Sequence, residues 1–308
     1  MNERTPATRR IETRAGALAL WTWPGETAGP TALFLHATGF HGRVWDATIR
    51  ALPPGWRALA LDLPGHGASD PHPPLTDWGA FVDPIVDVAD ALDLAGALIV
   101  GHSMGGYLAA RLALERPAAV GGLVLVDPVM PPPEAYVPGP FRDLPGPEAH
   151  PVARRRDRWP GWEAFFERFR DREPYSLWRP EILEAYCRHG LRPAPDGDGY
   201  VLACAPTLEA SVYFNSWRSN ILDRLKAIAA PATILRARYV PRDPNLPVDF
   251  SRSTTWSGLA DHFRDAIDVD MAPLTHFIPM QDPEAVARHV AALAERADAS
   301  TAIVGEAK

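Results

Sequence analysis

Gly101-His102-Ser103-Met104-Gly105 follows the apolar run Ala97-Leu98-Ile99-Val100 and precedes the amphipathic stretch from Tyr107 to Glu115. A buried strand therefore passes through a tight turn into a helix, and Ser103 stands at the tip of that turn. Flanking glycines let the backbone bend sharply and the helix pack closely, which pushes the Ser103 Oγ out above the sheet. The helix N-terminus behind it favours developing negative charge. A serine in this motif can also serve only as a helix cap, so the rest of the chain has to supply the partners that catalysis needs.

Outward from that turn, short apolar runs recur at Ala17 to Trp23, Thr31 to Leu35, Arg57 to Leu61, Gly122 to Val126, Ala232 to Leu235 and Ala266 to Met271. Most lack polar alternation, as strands buried on both faces do. Helical stretches separate them. One is Asp83 to Leu94, with Asp83 expected as cap and Pro84 at the first helical position; another is Pro283 to Ala297. Alternation of this kind predicts a mostly parallel sheet covered on both faces, with ligands at the carboxyl ends of its strands.

The alternation breaks after Pro128, and roughly a hundred residues pass before the next buried strand, too many for an ordinary connection. Trp162, Phe165, Phe166 and Phe169 recur at helical spacing there, Pro180 to His189 reads as a second helix, and Thr207 to Leu225 supplies further helix. Residues 1–127 and 226–308 are thus expected to form the core, and 128–225 a helical cap on the side of the serine. Its aromatic residues Trp159, Trp162, Phe165, Phe166, Tyr175 and Trp178 suggest a largely apolar pocket, although most of them are expected to glue cap to core. Arg154-Arg155-Arg156 offers a partner for a carboxylate, with a solvated arginine face the preferred reading.

The chain has 308 residues, 46% hydrophobic and 22% charged, with a formal net charge of -7. That is the make-up of a soluble globular protein. Charges of both signs are spread along the chain without a basic stripe, which argues against nucleic acid as a partner. Met1 to Arg10 is polar, so no signal peptide or membrane anchor is expected there, and the default compartment is the cytoplasm. Cys187 and Cys204 lack metal-ligand spacing and read as buried thiols.

A serine hydroxyl is a weak nucleophile until a base takes its proton. Of ten histidines, His276 is the best candidate: it follows the last apolar strand and precedes the last helix, where a loop overhangs the strand ends. His36 and His66 belong to glycine-containing loops, and His102 is expected to point away from the serine. Acyl transfer also needs fixed donors for an oxyanion. His36-Ala37-Thr38-Gly39-Phe40 follows a strand, and Gly39 lets the chain turn so that the N–H of Thr38 faces the pocket beside that of Met104.

These stretches, together with Asp62-Leu63-Pro64-Gly65-His66-Gly67-Ala68-Ser69-Asp70 and Thr275-His276-Phe277-Ile278-Pro279-Met280, resemble the α/β-hydrolase family over nearly the whole chain. The resemblance implies an eight-stranded, mostly parallel sheet with helices on both faces and a cap inserted after the sixth strand. It carries Ser103 and His276 onto the family's nucleophile and base. It is weaker across 128 to 224. The acid departs from the commonest pattern: most members place an aspartate soon after the strand that here reads Ala232-Thr233-Ile234-Leu235, where this chain has Val240, with Asp243 only later. Asp127, at the end of the run Gly122 to Val126, is the preferred candidate, since some members take the acid from that earlier strand end; Asp243 comes second and Asp249 third.

The resemblance and the site residues together predict a serine hydrolase that acts on a small or medium, largely apolar ester through an acyl-enzyme, with neither metal nor organic cofactor. A serine nucleophile argues against dehalogenase or epoxide hydrolase chemistry. Lactone, amide or C–C bond hydrolysis and acyl transfer to an alcohol or peroxide use the same residues. A hydrolase-like receptor for a small ligand is the non-enzyme alternative.

Overall fold

The computed structural model describes residues 5–25, 29–136, 144–238, 249 and 251–306, with side chains described as far as residue 297. Eight strands form one sheet in the order β1-β2-β4-β3-β5-β6-β10-β11. They are β1 (Ala7–Thr13), β2 (Gly16–Trp23), β3 (Thr31–Leu35), β4 (Arg57–Leu61), β5 (Ala97–His102), β6 (Val120–Val126), β10 (Ala232–Arg236) and β11 (Ala266–Asp270). The β1–β2 and β2–β4 pairs are antiparallel and the remaining pairs parallel.

The missing polar alternation has a direct cause. Leu33 and Leu35 of β3 pack into one apolar layer and Ala32 and Phe34 into the other, so these four successive positions are all dry. The first layer is closed by α2 (Gly79–Ala91) and α3 (Met104–Glu115), through Phe81, Ile85 and Leu108. The second is closed by α1 (Asp46–Arg50) and α8 (Pro283–Glu306), through Ile49, Val286 and Val290. A four-residue helix, α7 (Ile278–Gln281), leads into α8.

Between β6 and β10 lie α4 (Trp162–Phe169), α5 (Pro180–His189) and α6 (Pro206–Asn215), with a small antiparallel sheet of β7 (Arg158–Trp159), β9 (Tyr200–Leu202) and β8 (Leu191–Pro193). Beyond α6 the chain continues as short 3-10 turns at Ser216–Arg218 and Leu222–Ala227 rather than as more α-helix.

Two sequence expectations need correction. Pro84 does not open its helix: α2 begins at Gly79 and Pro84 lies inside it. The buried Phe81 and Val82 belong to the same core-facing surface as Ile85, and their burial carries the helix one turn upstream of the proline. The first strand, β1, is absent from the apolar runs because it is an exposed edge, where Arg9, Arg10 and Glu12 face solvent and only Ile11 is buried. Among the described residues no helix is long and apolar enough to cross a membrane.

Candidate active site

The turn after β5 places Ser103 at φ 57° and ψ -119°, before α3 starts at Met104. Left-handed backbone is costly for a residue with a side chain, of the order of 1–3 kcal/mol, and persists only where its surroundings hold it. Here they do. The Ser103 N–H donates to the Val126 carbonyl (3.0 Å), and the Ser103 carbonyl accepts from Gly106, Tyr107 and Val129. A side chain at position 105 would set its Cβ 2.2 Å from the Leu35 carbonyl oxygen, so only glycine lets α3 approach β3 this closely.

Asp127 terminates β6, also with positive φ (39°), and its carboxylate is fully buried. Oδ2 accepts from His276 Nδ1 at 2.6 Å, and Oδ1 from the Ser253 hydroxyl (2.6 Å) and the Ala237 N–H (2.9 Å). Burial works against its charge, yet the bonds from His276, Ser253 and Ala237 outweigh burial and hold its pKa below the usual carboxylate value. With Nδ1 donating to a carboxylate, Nε2 of His276 is left with a free lone pair.

The His276 loop is fixed from both sides. Its N–H donates to the Ser251 carbonyl, and its carbonyl accepts from His102 Nε2 at 2.8 Å. His102 buttresses the loop, its buried ring 4.9 Å from that of His276. Of the other acid candidates, Asp249 lines the cavity but bonds Ser251, and Asp243 lies outside the described residues, as does Val240.

Gly39 has φ 79°, and the Phe40 N–H closes the turn onto the Ala37 carbonyl at 3.1 Å. Two buried histidines from the neighbourhood of the Asp62–Asp70 loop shape it. His66 Nε2 accepts from the Gly39 N–H (3.1 Å), and His36 Nε2 accepts from the Leu63 N–H (3.0 Å). The turn brings Thr38 against Met104, Oγ1 to Sδ at 3.5 Å. As the first residue of α3, Met104 has no intrahelical acceptor for its N–H.

Ser103, His276 and Thr38 line one cavity of about 860 Å³, within the range of small-molecule sites. Its aromatic wall consists of Phe40, Trp78, Phe169, Tyr175, Phe214 and Trp217, among others. Of the six aromatic residues read from the sequence as pocket candidates, only Tyr175 lines it; Trp159 and Phe165 stack together in the core instead. The cavity wall is largely apolar, as expected, but the arginine run is not one solvated face. Arg155 turns inward and donates to Glu209 at 2.5 Å, whereas Arg154 and Arg156 remain exposed.

Comparison with known proteins agrees with this fold. A family model described as the alpha/beta hydrolase family matches residues 32–289. The chain belongs to the alpha/beta hydrolase family. It is 37% identical over 132 residues to an esterase of Mycobacterium tuberculosis, covering 41% of each chain. It is 38% identical over 96 residues to a pimeloyl-[acyl-carrier protein] methyl ester esterase of Legionella pneumophila, covering 31% of this chain and 36% of that protein. The match therefore spans well under half the length of these curated relatives. Among solved structures, an E-2-(acetamidomethylene)succinate hydrolase superposes with a TM-score of 0.71 at 18% identity, covering 94% of this chain and 99% of that one. An esterase from Thermogutta terrifontis superposes at 0.65 with 23% identity, covering 94% and 99%. At such identities the likeness is one of fold.

Several residues that build the site were not read from the sequence in that role. Ser253 and Ala237 hold Asp127, and His102 holds the His276 loop. The partners lie 110 to 174 residues apart, and nothing local to any of them marks the contact.

Proposed function

We propose that the protein is a serine hydrolase of carboxylic esters working through an acyl-enzyme. Ser103 Oγ attacks the ester carbonyl while His276 Nε2 takes its proton, and Asp127 orients the ring and stabilises its cation. The N–H groups of Thr38 and Met104 receive the oxyanion, aided by the N-terminus of α3. His276 then protonates the departing alcohol, and a water activated by the same imidazole releases the acid. Residues 128–225 act as a cap that carries much of the wall of the substrate pocket and excludes bulk water.

The observation that carries this reading is the 2.6 Å bond from His276 Nδ1 to the buried Asp127 carboxylate, at the rim of a cavity that also holds Ser103. A lone structural histidine needs neither a buried anion nor a strained serine on the wall of the same cavity. The esterase names of two relatives point the same way. The test is hydrolysis of short methyl and p-nitrophenyl esters by the wild type and by Ser103→Ala. Turnover in the wild type and its loss by at least about 10³ in the variant are expected. Equal rates for the two proteins would refute the assignment.

A further inference from the structure

Arg155 and Glu209 form an ion pair on the cavity wall, Nη1 to Oε2 at 2.5 Å, with 23% and 7% of their side chains exposed. Replacing a sequestered pair of this kind with well-packed apolar residues is often neutral or stabilising, so stability alone does not account for its place among aromatic residues. Its position does. Gly39 follows Thr38 in the turn, and a Cβ at Gly39 would lie 2.9 Å from Glu209 Oε1, which sets the carboxylate beside the turn that presents the Thr38 N–H. Arg155, from the other side, carries five N–H donors, of which one goes to Glu209 and another faces the Tyr186 hydroxyl, leaving donors for a ligand.

The pair discriminates by charge. A carboxylate that approaches Arg155 meets Glu209, and an ammonium that approaches Glu209 meets Arg155. A hydrocarbon chain desolvates both groups and returns nothing. A hydroxyl satisfies both, because one oxygen accepts from the guanidinium while its proton goes to the carboxylate. We propose that Arg155 and Glu209 form a hydroxyl-recognition subsite and that the substrates are hydroxy esters whose hydroxyl lies a few bonds from the scissile carbonyl. This rests on the ester hydrolysis assigned above to Ser103.

The test compares kcat/KM, followed by proton release, for methyl pentanoate, methyl 3-hydroxypentanoate and monomethyl succinate. The wild type is expected to favour the hydroxy ester over methyl pentanoate by about tenfold or more, the range of a hydrogen bond to a charged group. Glu209→Gln keeps the shape and leaves Arg155 unbalanced. It should erode the hydroxyl preference and raise the ratio of succinate to pentanoate turnover by about tenfold, a change that a purely structural pair would not produce. A wild-type ratio near one, or a variant that changes all three rates in proportion, would overturn the subsite. Binding of the two neutral methyl esters to Ser103→Ala by calorimetry reads the subsite without turnover. Equal affinities overturn it. Tighter binding of the hydroxy ester, with no hydrolysis by the wild type, would overturn the hydrolase reading and leave the subsite standing.

Discussion

Lowering the pH from 7 to 5 should destabilise the native state by roughly 6 kcal/mol, because four fully buried histidines are held neutral. Burial, reinforced by neighbouring histidines and Arg43, lowers His41 and His102 to about 3, His66 to about 4 and His36 well below its ordinary value. For His36 and His66 the geometry gives a further reason, since Nε2 already accepts a backbone N–H from Leu63 and Gly39. Protonation would set two donors face to face. The unfolded chain binds these protons near pH 6.5 and the folded chain binds those of His41, His66 and His102 only near 4 or below, with His36 shifted in the same direction, so stability is fully present above 6.5 and lost as the pH falls. His41, His66 and His102 each contribute about 2 kcal/mol of loss by pH 5, and His36 adds to it. Asp62 works in the opposite direction: burial raises it to about 6, and proton uptake by the folded state returns about 1.4 kcal/mol over the same interval. The assay is urea unfolding at fixed ionic strength from pH 7 to 5, with the slope m held common. His66→Gln keeps an acceptor for Gly39 and removes one titration, so it should lessen the loss by about 2 kcal/mol. Stability at pH 5 within 1 kcal/mol of that at pH 7, or a pH dependence untouched by His66→Gln, would refute the reasoning.

Three substitutions test the site's construction. Asp127→Asn should cut kcat on a short methyl ester by about 10³ to 10⁴, whereas Asp249→Asn, which removes a carboxylate bonded to Ser251 rather than to His276, should cost less than about tenfold. Gly105→Ala drives a Cβ to within 2.2 Å of the Leu35 carbonyl oxygen and forces α3 off β3. An overpacking cost of about 3 kcal/mol is expected, read calorimetrically as a fall in Tm of roughly 5–10 °C.

Legibility in the sequence followed dryness and locality. Strands such as β3 and β4, covered on both faces, stand out as apolar runs with the bounds the structure gives them. The edge strand β1 pairs only with β2 and shows its polar side chains to water, and the two- and three-residue strands β7, β8 and β9 are too short for any period to register. The Ser103 turn was readable because its steric demand falls on its own neighbours, Gly101 and Gly105. The acid was legible only as a preference: Asp127 ends an apolar run and Asp249 does not, but nothing in the sequence brings His276 to either. What separates them is the convergence of His276, Ser253 and Ala237 on one carboxylate, a fact of the fold alone. Arg155 looked like one of three equivalent arginines until folding brought Glu209, 54 positions on, against it.

The central claim is that Ser103 becomes acylated. Intact-protein mass spectrometry after rapid acid quench of a reaction with a p-nitrophenyl ester, followed by peptide mapping, tests it directly. A mass gain equal to one acyl group, located on the peptide that contains Ser103 and absent from Ser103→Ala, is the predicted result. Turnover of the ester with the adduct on another residue, or with Ser103→Ala as active as the wild type, would contradict it.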